Sequence, residues 1–422
     1  MRILVYSLNY KPELVGTGKY TSEMVDELLS YGHDVRVVTA KPFYPHWKIE
    51  ESYKKNFYMV KDNIIYCPLW VPNKPGGMKR IFHLLSFALT SCFPVFRLIS
   101  WRADLIWTVE PTLFCAPVAL LYSKITRAKS WLHIQDFEIE ASFALGIFKS
   151  KSLQNLVLFI ERIFLNKFEF ISTISKKMSY RLEQKINKKC KLKYFPNWVD
   201  VRHIYPIKKN KDDNFFAKKF NIKNEDIVLL YSGNFGRKQG LEIIIEAASR
   251  IENLINLNKK SPIANMSANF RNIIFFMCGD GEELDSLKKI ASNLSNLKFI
   301  PFQSYSMLNE LLNLADIHLI TQKSQVDSLV LPSKLGGIFA SGRPVIATAA
   351  QESDLANLVQ GKGLCTPPED LDKFIDAILE LSLSDCLREN FGAAARKYAV
   401  EYLNKQTIIK SFEREFNDKG RE

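Results

Sequence analysis

Apolar and polar positions along this chain change period in a regular order, and the order repeats. Ile3 to Leu8 is a compact apolar-rich run of strand length, followed by a polar loop containing Pro12, Gly16 and Gly18. Tyr20, Met24, Val25, Leu28 and Leu29 then recur at helical spacing, and Gly32 ends that helix. His33 to Thr39 alternates into a second strand. A strand–helix–strand opening of this kind predicts a parallel sheet with helices on its faces.

The same order restarts after residue 220. Ile227–Tyr231 reads as a strand, Ser232–Gly240 as a glycine-bearing loop and Leu241–Ile251 as a helix. Further strands are expected at Ile273–Met277, Leu297–Ile300, Ile317–Ile320 and Pro344–Ala347. The charged stretch Ile207–Asp213 between the halves reads as a linker, and Asn253–Arg271, rich in Asn, Ser and Lys, as a loop insertion. The 422 residues suit two domains. The fold expected is α/β, with two doubly wound units whose strand carboxyl ends face a central cleft.

Charge and cysteine usage narrow the function classes. Lys+Arg exceed Asp+Glu by 58 − 45 = +13, so anionic partners are favoured: nucleic acid, acidic lipid headgroups or phosphorylated small molecules. The seven cysteines are scattered without a C-x-x-C pair, which argues against a disulfide framework and for a reducing, cytoplasmic setting. The first residues lack a small-residue cleavage site and read as a buried strand rather than a signal peptide. Two greasy stretches carry basic flanks. Ile81–Phe96 lies between Lys79-Arg80 and Arg97, contains Pro94 and is shorter than the ~20 residues needed to span a bilayer. Leu153–Phe170 is accompanied by Lys149, Lys151 and Lys167. Each reads either as an interfacial helix or as part of the core.

Four local patterns could carry chemistry. Gly16-Thr17-Gly18 opens the first helix, where glycines permit close backbone approach and free N–H groups can meet an anion; the same residues also make an ordinary turn. It lacks the G-x-G-x-x-G spacing of a dinucleotide site. Trp131–Glu138 ends a strand in a polar cluster that would expose His133 and Asp136 at the sheet edge. Ser232–Gly240, with Arg237 and Lys238 among three glycines, suits a diphosphate cradle or a solvated basic turn. Leu331-Pro332-Ser333-Lys334 precedes a helix and suits phosphate or plain capping.

Taken in order and spacing, these motifs resemble those of glycosyltransferase family 4, retaining enzymes of the GT-B fold, and in particular its colanic-acid and exopolysaccharide members. The resemblance runs along nearly the whole chain. It is carried by Asn9-Tyr10-Lys11-Pro12-Glu13, Gly16-Thr17-Gly18, Phe43-Tyr44-Pro45, Pro111–Phe114, His133–Asp136, Pro196-Asn197-Trp198, Tyr231–Asn234 and Leu331–Lys334. It implies an N-terminal acceptor-binding domain over 1–205, a nucleotide-sugar-binding domain over 206–400 and a last helix within 401–422 that crosses back. Gly16 and Gly18 would line the donor phosphates and sugar, and His133 would contact the transferred sugar. Asn234, Arg237, Lys238, Ser333 and Lys334 would meet the diphosphate, and Gly279 and Asp280 the nucleotide. The resemblance also implies a GDP- or UDP-linked donor, with fucose or another deoxyhexose favoured, and a lipid-linked sugar acceptor at the cytoplasmic membrane face.

The chain departs from the family pattern at several positions. The paired glutamates before the G-x-P-V run fall on Leu329 and Gly337, and the phosphate-loop Arg and Lys fall on Asn234 and Gln239. The six histidines show no metal-ligand spacing, and Asp370-Leu371-Asp372 reads as a helix start. Transfer is therefore expected to need no metal or other cofactor, with Lys238 and Lys334 stabilising the departing diphosphate and Asp136 or Glu138 taking the acceptor's proton. Two alternatives remain: a nucleotide-sugar epimerase of the same fold, and a basic nucleic-acid-binding protein. The second is disfavoured because no recognisable RNA or DNA module is present.

Overall fold

The computed structural model describes residues 1–13, 16–44, 46–73, 77–110, 113–137, 139–140, 143, 150–187, 189–207, 210–260, 271–324 and 332–417. Two compact units form: Met1–Asn197 together with the segment from Ile408 onward, and Trp198–Thr407. The chain thus changes unit before the expected position at 205/206, and returns after the expected 401. The residues responsible are Val199, which bridges to Asn404, and Val201 and Ile204, which share an apolar cluster with Ile338 and Phe339.

The first unit runs β1 (Arg2–Ser7), α1 (Thr17–Ser30), β2 (Asp34–Ala40), β3 (Met59–Lys61), β4 (Ile64–Cys67), α2 (Gly77–Arg97), β5 (Leu105–Glu110), α3 (Ala116–Thr126), β6 (Lys129–Ile134), α4 (Lys151–Leu165), β7 (Phe170–Thr173), α5 (Lys176–Glu183) and β8 (Lys191–Tyr194). Its sheet order is β3-β4-β2-β1-β5-β6-β7-β8, parallel except for the β3–β4 pair. The direction of winding reverses between β1 and β5, which is where ligands meet such sheets. Strands β1 and β5 are buried almost throughout, hence their continuous apolar runs. The greasy stretch after Lys79 is a 21-residue helix, α2, with Pro94 inside it. It buries Leu84, Phe87, Ala88 and Val95, so one face belongs to the core.

The second unit runs α6 (Phe215–Phe220), β9 (Ile227–Asn234), α7 (Glu242–Lys260), β10 (Ile273–Asp280), α8 (Leu284–Ile290), β11 (Leu297–Ile300), α9 (Leu308–Leu314), β12 (Ile317–Ile320), α10 (Leu335–Ala340), β13 (Val345–Thr348), α11 (Asp354–Val359), β14 (Gly363–Thr366), α12 (Leu371–Leu383) and α13 (Asp385–Tyr402). The last helix, α14 (Lys405–Asn417), begins here and ends in the first unit. The sheet order β11-β10-β9-β12-β13-β14 is wholly parallel and reverses between β9 and β12. Helix α7 runs on to Lys260, through residues expected to be loop; 261–270 lie outside the described residues.

The charged stretch read as a linker is partly interior. Lys211 is buried, with its ammonium 2.7 Å from Asp316 and bonded to the Asp226 carbonyl. A buried ammonium needs such a partner, and the pairing binds this segment to the amino ends of β9 and β12. Within the first unit, Phe412 of α14 packs edge-on against Trp107 at 4.5 Å and Trp131 at 4.7 Å and stacks on Phe195.

Candidate functional site

In the second unit the reversal point is built from the carboxyl ends of β9, β10 and β12. Gly233 pairs with Gly279, and Asn234 with Asp280. A Cβ on Gly279 would lie 1.8 Å from the Gly233 carbonyl oxygen, so the absence of a side chain there lets the strand ends close. Phe235 N–H donates to the Asp280 carbonyl and Glu283 N–H to the Phe235 carbonyl, which ties the two following loops together. Gly279 and Asp280 thus hold the loop, and the exposed Asp280 carboxylate accepts from Gly281 N–H.

Lys334 reaches this point from the turn before α10. Its stem is partly exposed, but its ammonium is covered and meets no hydrogen-bond partner among the described residues. The nitrogen stands 3.6 Å from the centre of the Tyr231 ring and 3.2 Å from where a Cβ on Gly233 would be. Burial pushes its pKa down to about 7. Gln239 Oε1 and Thr321 Oγ1 are also buried without partners among the described residues. A desolvated ammonium at a strand end suits an anion, whereas the Gln239 oxygen is an acceptor and would need a donor.

The other expected cations behave differently. Arg237 is 78% exposed and lies 3.5 Å from Glu283 and 3.8 Å from Glu282, so its charge is already compensated. Lys238 is half-buried, and its carbonyl accepts from Lys323 N–H. Asn234 is exposed, with its carbonyl bonded by the Tyr231 hydroxyl, and Ser333 is exposed. Sequence reasoning noted Tyr231 within a motif but gave it no role, and it missed Lys323. Lys323 leaves the end of β12, passes 3.1 Å from the Cβ position of Gly240, and holds its ammonium 3.6 Å from Glu242. The signal that could have found it is its place just past a strand end at the reversal point.

In the first unit, Gly16 caps α1 at φ 57°, and a Cβ there would meet nothing within 4 Å. Gly18 is fixed by space: its Cβ would lie 2.5 Å from the Glu13 carbonyl oxygen. The Glu13 carboxylate accepts from Phe43 N–H, Tyr44 N–H and Asn9 Nδ2, fastening the loops after β1 and β2.

His133 is a correction. Instead of being exposed at the sheet edge it is 3% exposed, stacked on Trp107 and flanked edge-on by Phe195. Its Nε2 accepts from Gln135 Nε2 at 2.8 Å and its Nδ1–H donates to Ser172 Oγ at 2.9 Å. Burial pushes its pKa down to about 3, so it is neutral with both nitrogens engaged. Alternation puts it on an inward face that residues distant in sequence then cover. Asp136, two positions past β6, is half-buried; Glu138, Leu329 and Leu331 lie outside the described residues.

Among the described residues no group of three His, Cys, Asp or Glu side chains could hold a metal ion. Asp370 caps α12, accepting from Lys373 N–H, and Asp372 pairs with Arg250. A cavity of about 210 Å³ at the opposite ends of β9 and β12 is lined by Lys211, Asp226, Asp316, Arg271 and Asp385. Across it Lys211 pairs with Asp316, and Arg271 and Arg388 pair with Asp385.

Residues 212–398 match the family described as Glycosyl transferases group 1, and residues 15–198 match the Glycosyl transferase 4-like domain. The chain is 36% identical over 423 residues to the colanic acid biosynthesis glycosyl transferase WcaI of Escherichia coli K12, covering 98% of both chains. Among solved structures, sucrose-phosphate synthase of Thermosynechococcus elongatus aligns with a TM-score of 0.74 at 15% identity, over 99% of this chain and 98% of that one. HepE of Anabaena, solved with UDP and glucose, aligns at 0.67 and 15% identity, over 98% of this chain and 99% of that one. At such identities these two structures bear on the fold alone.

Proposed function

The chain belongs to the glycosyltransferases of family 4, enzymes of the GT-B fold, and we propose that it moves a sugar from a nucleotide-sugar to a lipid-linked acceptor in surface-polysaccharide synthesis. The observation that carries this reading is the covered ammonium of Lys334 at the β9/β12 reversal point, which has no hydrogen-bond partner among the described residues. In such transfer the bond between the anomeric carbon and the diphosphate oxygen breaks, and the electron pair goes to the diphosphate. Negative charge grows where a desolvated cation is already in place and needs no reorganisation. Lys334 and Lys238 supply that stabilisation in this reading, without a metal.

The acceptor hydroxyl forms the new bond and gives up its proton; Asp136 is assigned to receive it. His133 acts as a positioning residue, since it receives the Gln135 amide and so sets the segment that carries Asp136. Retention of anomeric configuration, a GDP- or UDP-linked donor with a deoxyhexose such as fucose, and work at the cytoplasmic membrane face complete the proposal. The name of the WcaI relative supports the part of the proposal that concerns sugar transfer in polysaccharide synthesis.

The test is thermal stabilisation by a panel of nucleoside diphosphates and nucleotide-sugars in EDTA. A clear shift with one base supports a metal-independent donor site and names the base. No shift with any member sinks the donor reading.

A further inference from the structure

Four neighbouring strands of the second unit are each preceded by a charged residue. Asp226 stands one position ahead of β9 and Asp316 one ahead of β12, while Arg271 stands two ahead of β10 and Arg343 two ahead of β13. Because the sheet runs β10-β9-β12-β13, these side chains come to one end of it, where they line the cavity of about 210 Å³ with Lys211 and Arg388. By count the lining holds four cations and five acids, but the acids are unevenly placed. The four cations share two carboxylates. Asp316 is paired with Lys211 and within Coulombic reach of Arg271, Arg343 and Arg388, and Asp385 is paired with Arg271 and Arg388. The remaining acids are turned to amides. Buried Asp226 accepts from Lys223 N–H and the Asn272 side chain, half-buried Glu310 from Phe215 N–H, and exposed Asp213 from the Asn210 side chain.

Arg343 is the cation left over. It is 5% exposed and makes no ion pair among the described residues. Its Nη2 donates to the carbonyls of Ile207 and Asn313 at 3.3 and 3.2 Å, long for a charged donor, and its Nε is covered without a partner among the described residues. Nη1 is the donor left for the cavity. A guanidinium cannot shed its charge on burial as an ammonium can, so its position is costly until an anion meets it. Lys211 spends two of its three donors, on the Asp226 carbonyl and on Asp316, and keeps one. We propose that the cavity binds a small oxyanion, inorganic phosphate or a short carboxylate, between the Arg343 guanidinium and the Lys211 ammonium. The space is many times the ~10–15 Å³ that one water needs, so an ion of several heavy atoms fits, and the forked donor suits an oxyanion better than a halide. Bound there, the ion ties Lys211 to the amino ends of β12 and β13. Lys334 stands at the carboxyl ends of the same sheet, so this site is separate from the donor crevice and does not depend on it.

Calorimetric titration of the full chain with inorganic phosphate, succinate and chloride, at matched ionic strength, tests the proposal. Wild type and Lys334→Met are expected to bind phosphate or succinate alike, and the oxyanion that binds names the chemistry. Arg343→Met is expected to weaken that binding about tenfold or more, the loss of one charge-assisted bond, while its response to nucleotide-sugar stays as in wild type. Where Arg343→Met does not fold, selenate soaked into wild-type crystals and located by its anomalous signal decides, and it is expected beside Arg343. Binding lost in Lys334→Met and kept in Arg343→Met would put the anion in the donor crevice and overturn the assignment. Chloride bound as tightly as the oxyanions would mean that charge alone is recognised, and overturns it too. No binding of any of the three means that water alone fills the cavity, and selenate found only elsewhere says the same; either result sinks the site.

Discussion

The Lys334 ammonium stands 3.6 Å above the centre of the Tyr231 ring, covered from water and with no hydrogen-bond partner among the described residues. A cation over an aromatic face recovers only ~0.5–2 kcal/mol, less than desolvation costs it. The arrangement is thus unfavourable for the free protein and favourable once an anion arrives. Lys334→Met keeps the length of the stem and removes the charge. The expected result is a free protein that melts no lower than wild type. Its affinity for the nucleotide-sugar falls about 10- to 100-fold, the loss of one charge-assisted bond worth ~1.5–3 kcal/mol. Calorimetric titration together with a melting curve checks both. A variant with unchanged donor affinity removes Lys334 from the site.

Burial pushes Lys334 down to about 7, while the same side chain in an unfolded chain titrates near 10.4. Binding of a diphosphate favours the charged form, so the complex takes up a proton wherever the free site is neutral. Affinity for an intact nucleotide-sugar, whose phosphates do not titrate near neutrality, should be flat well below pH 7. Above it, affinity should fall by up to about tenfold per pH unit. The sign for folding is the opposite. Above pH 7 the unfolded chain holds this proton and the folded chain does not, so the contribution of Lys334 to stability rises from pH 7 towards 10. Titrations at pH 6, 7 and 8 in two buffers of different ionisation enthalpy measure the uptake; a pH-independent affinity with no proton uptake would refute it.

The parallel scaffold was legible because β9 and β10 are continuous apolar runs whose glycines mark their carboxyl ends. The same period reading put Ile317–Ile320 where β12 lies. Three features were not legible, each for a non-local reason. Lys211 sits in a run of charges that reads as solvated, and only the fold brings Asp316 to it. His133 reads as exposed until Trp107 and Phe195 close over it. Lys323 lies outside any motif, and its interest comes from the sheet order that makes β9 and β12 neighbours.

Close approach at the strand ends makes Gly279 a sensitive position. In Gly279→Ala the added methyl would lie 1.8 Å from the Gly233 carbonyl oxygen and 2.9 Å from the Phe235 ring, and the nearer obstacle is backbone, which cannot swing aside. Loss of ~3 kcal/mol or more is expected, read as a lower urea midpoint or as insoluble protein. Gly361→Ala is the control: it also has positive φ, at 72°, but its methyl meets nothing within 4 Å, so ~1 kcal/mol is expected from backbone strain alone. Equal losses at the two positions would mean that backbone conformation, not the approach of β9 and β10, makes Gly279 necessary.

Two of the buried histidines, His133 and His318, weaken the fold in acid. Burial pushes His133 and His318 each to about 3. Their unfolded pKa is near 6.5, so between these values the unfolded chain binds protons that the folded chain refuses. Stability from both residues is complete above about pH 6.5 and is lost as pH falls towards 3. His133→Asn removes one of the two, and the slope of unfolding free energy against pH between 6 and 4 should fall by about one proton. That variant should also be less stable at pH 7, since it opens space beside Trp107 and breaks the bonds to Ser172 and Gln135. If His133 were instead a titrating contact of the sugar, the variant would keep its stability and acid slope and lose turnover alone. Urea unfolding at four pH values, set beside turnover at pH 7, separates the two. The positioning role through Gln135 requires turnover and stability to fall together.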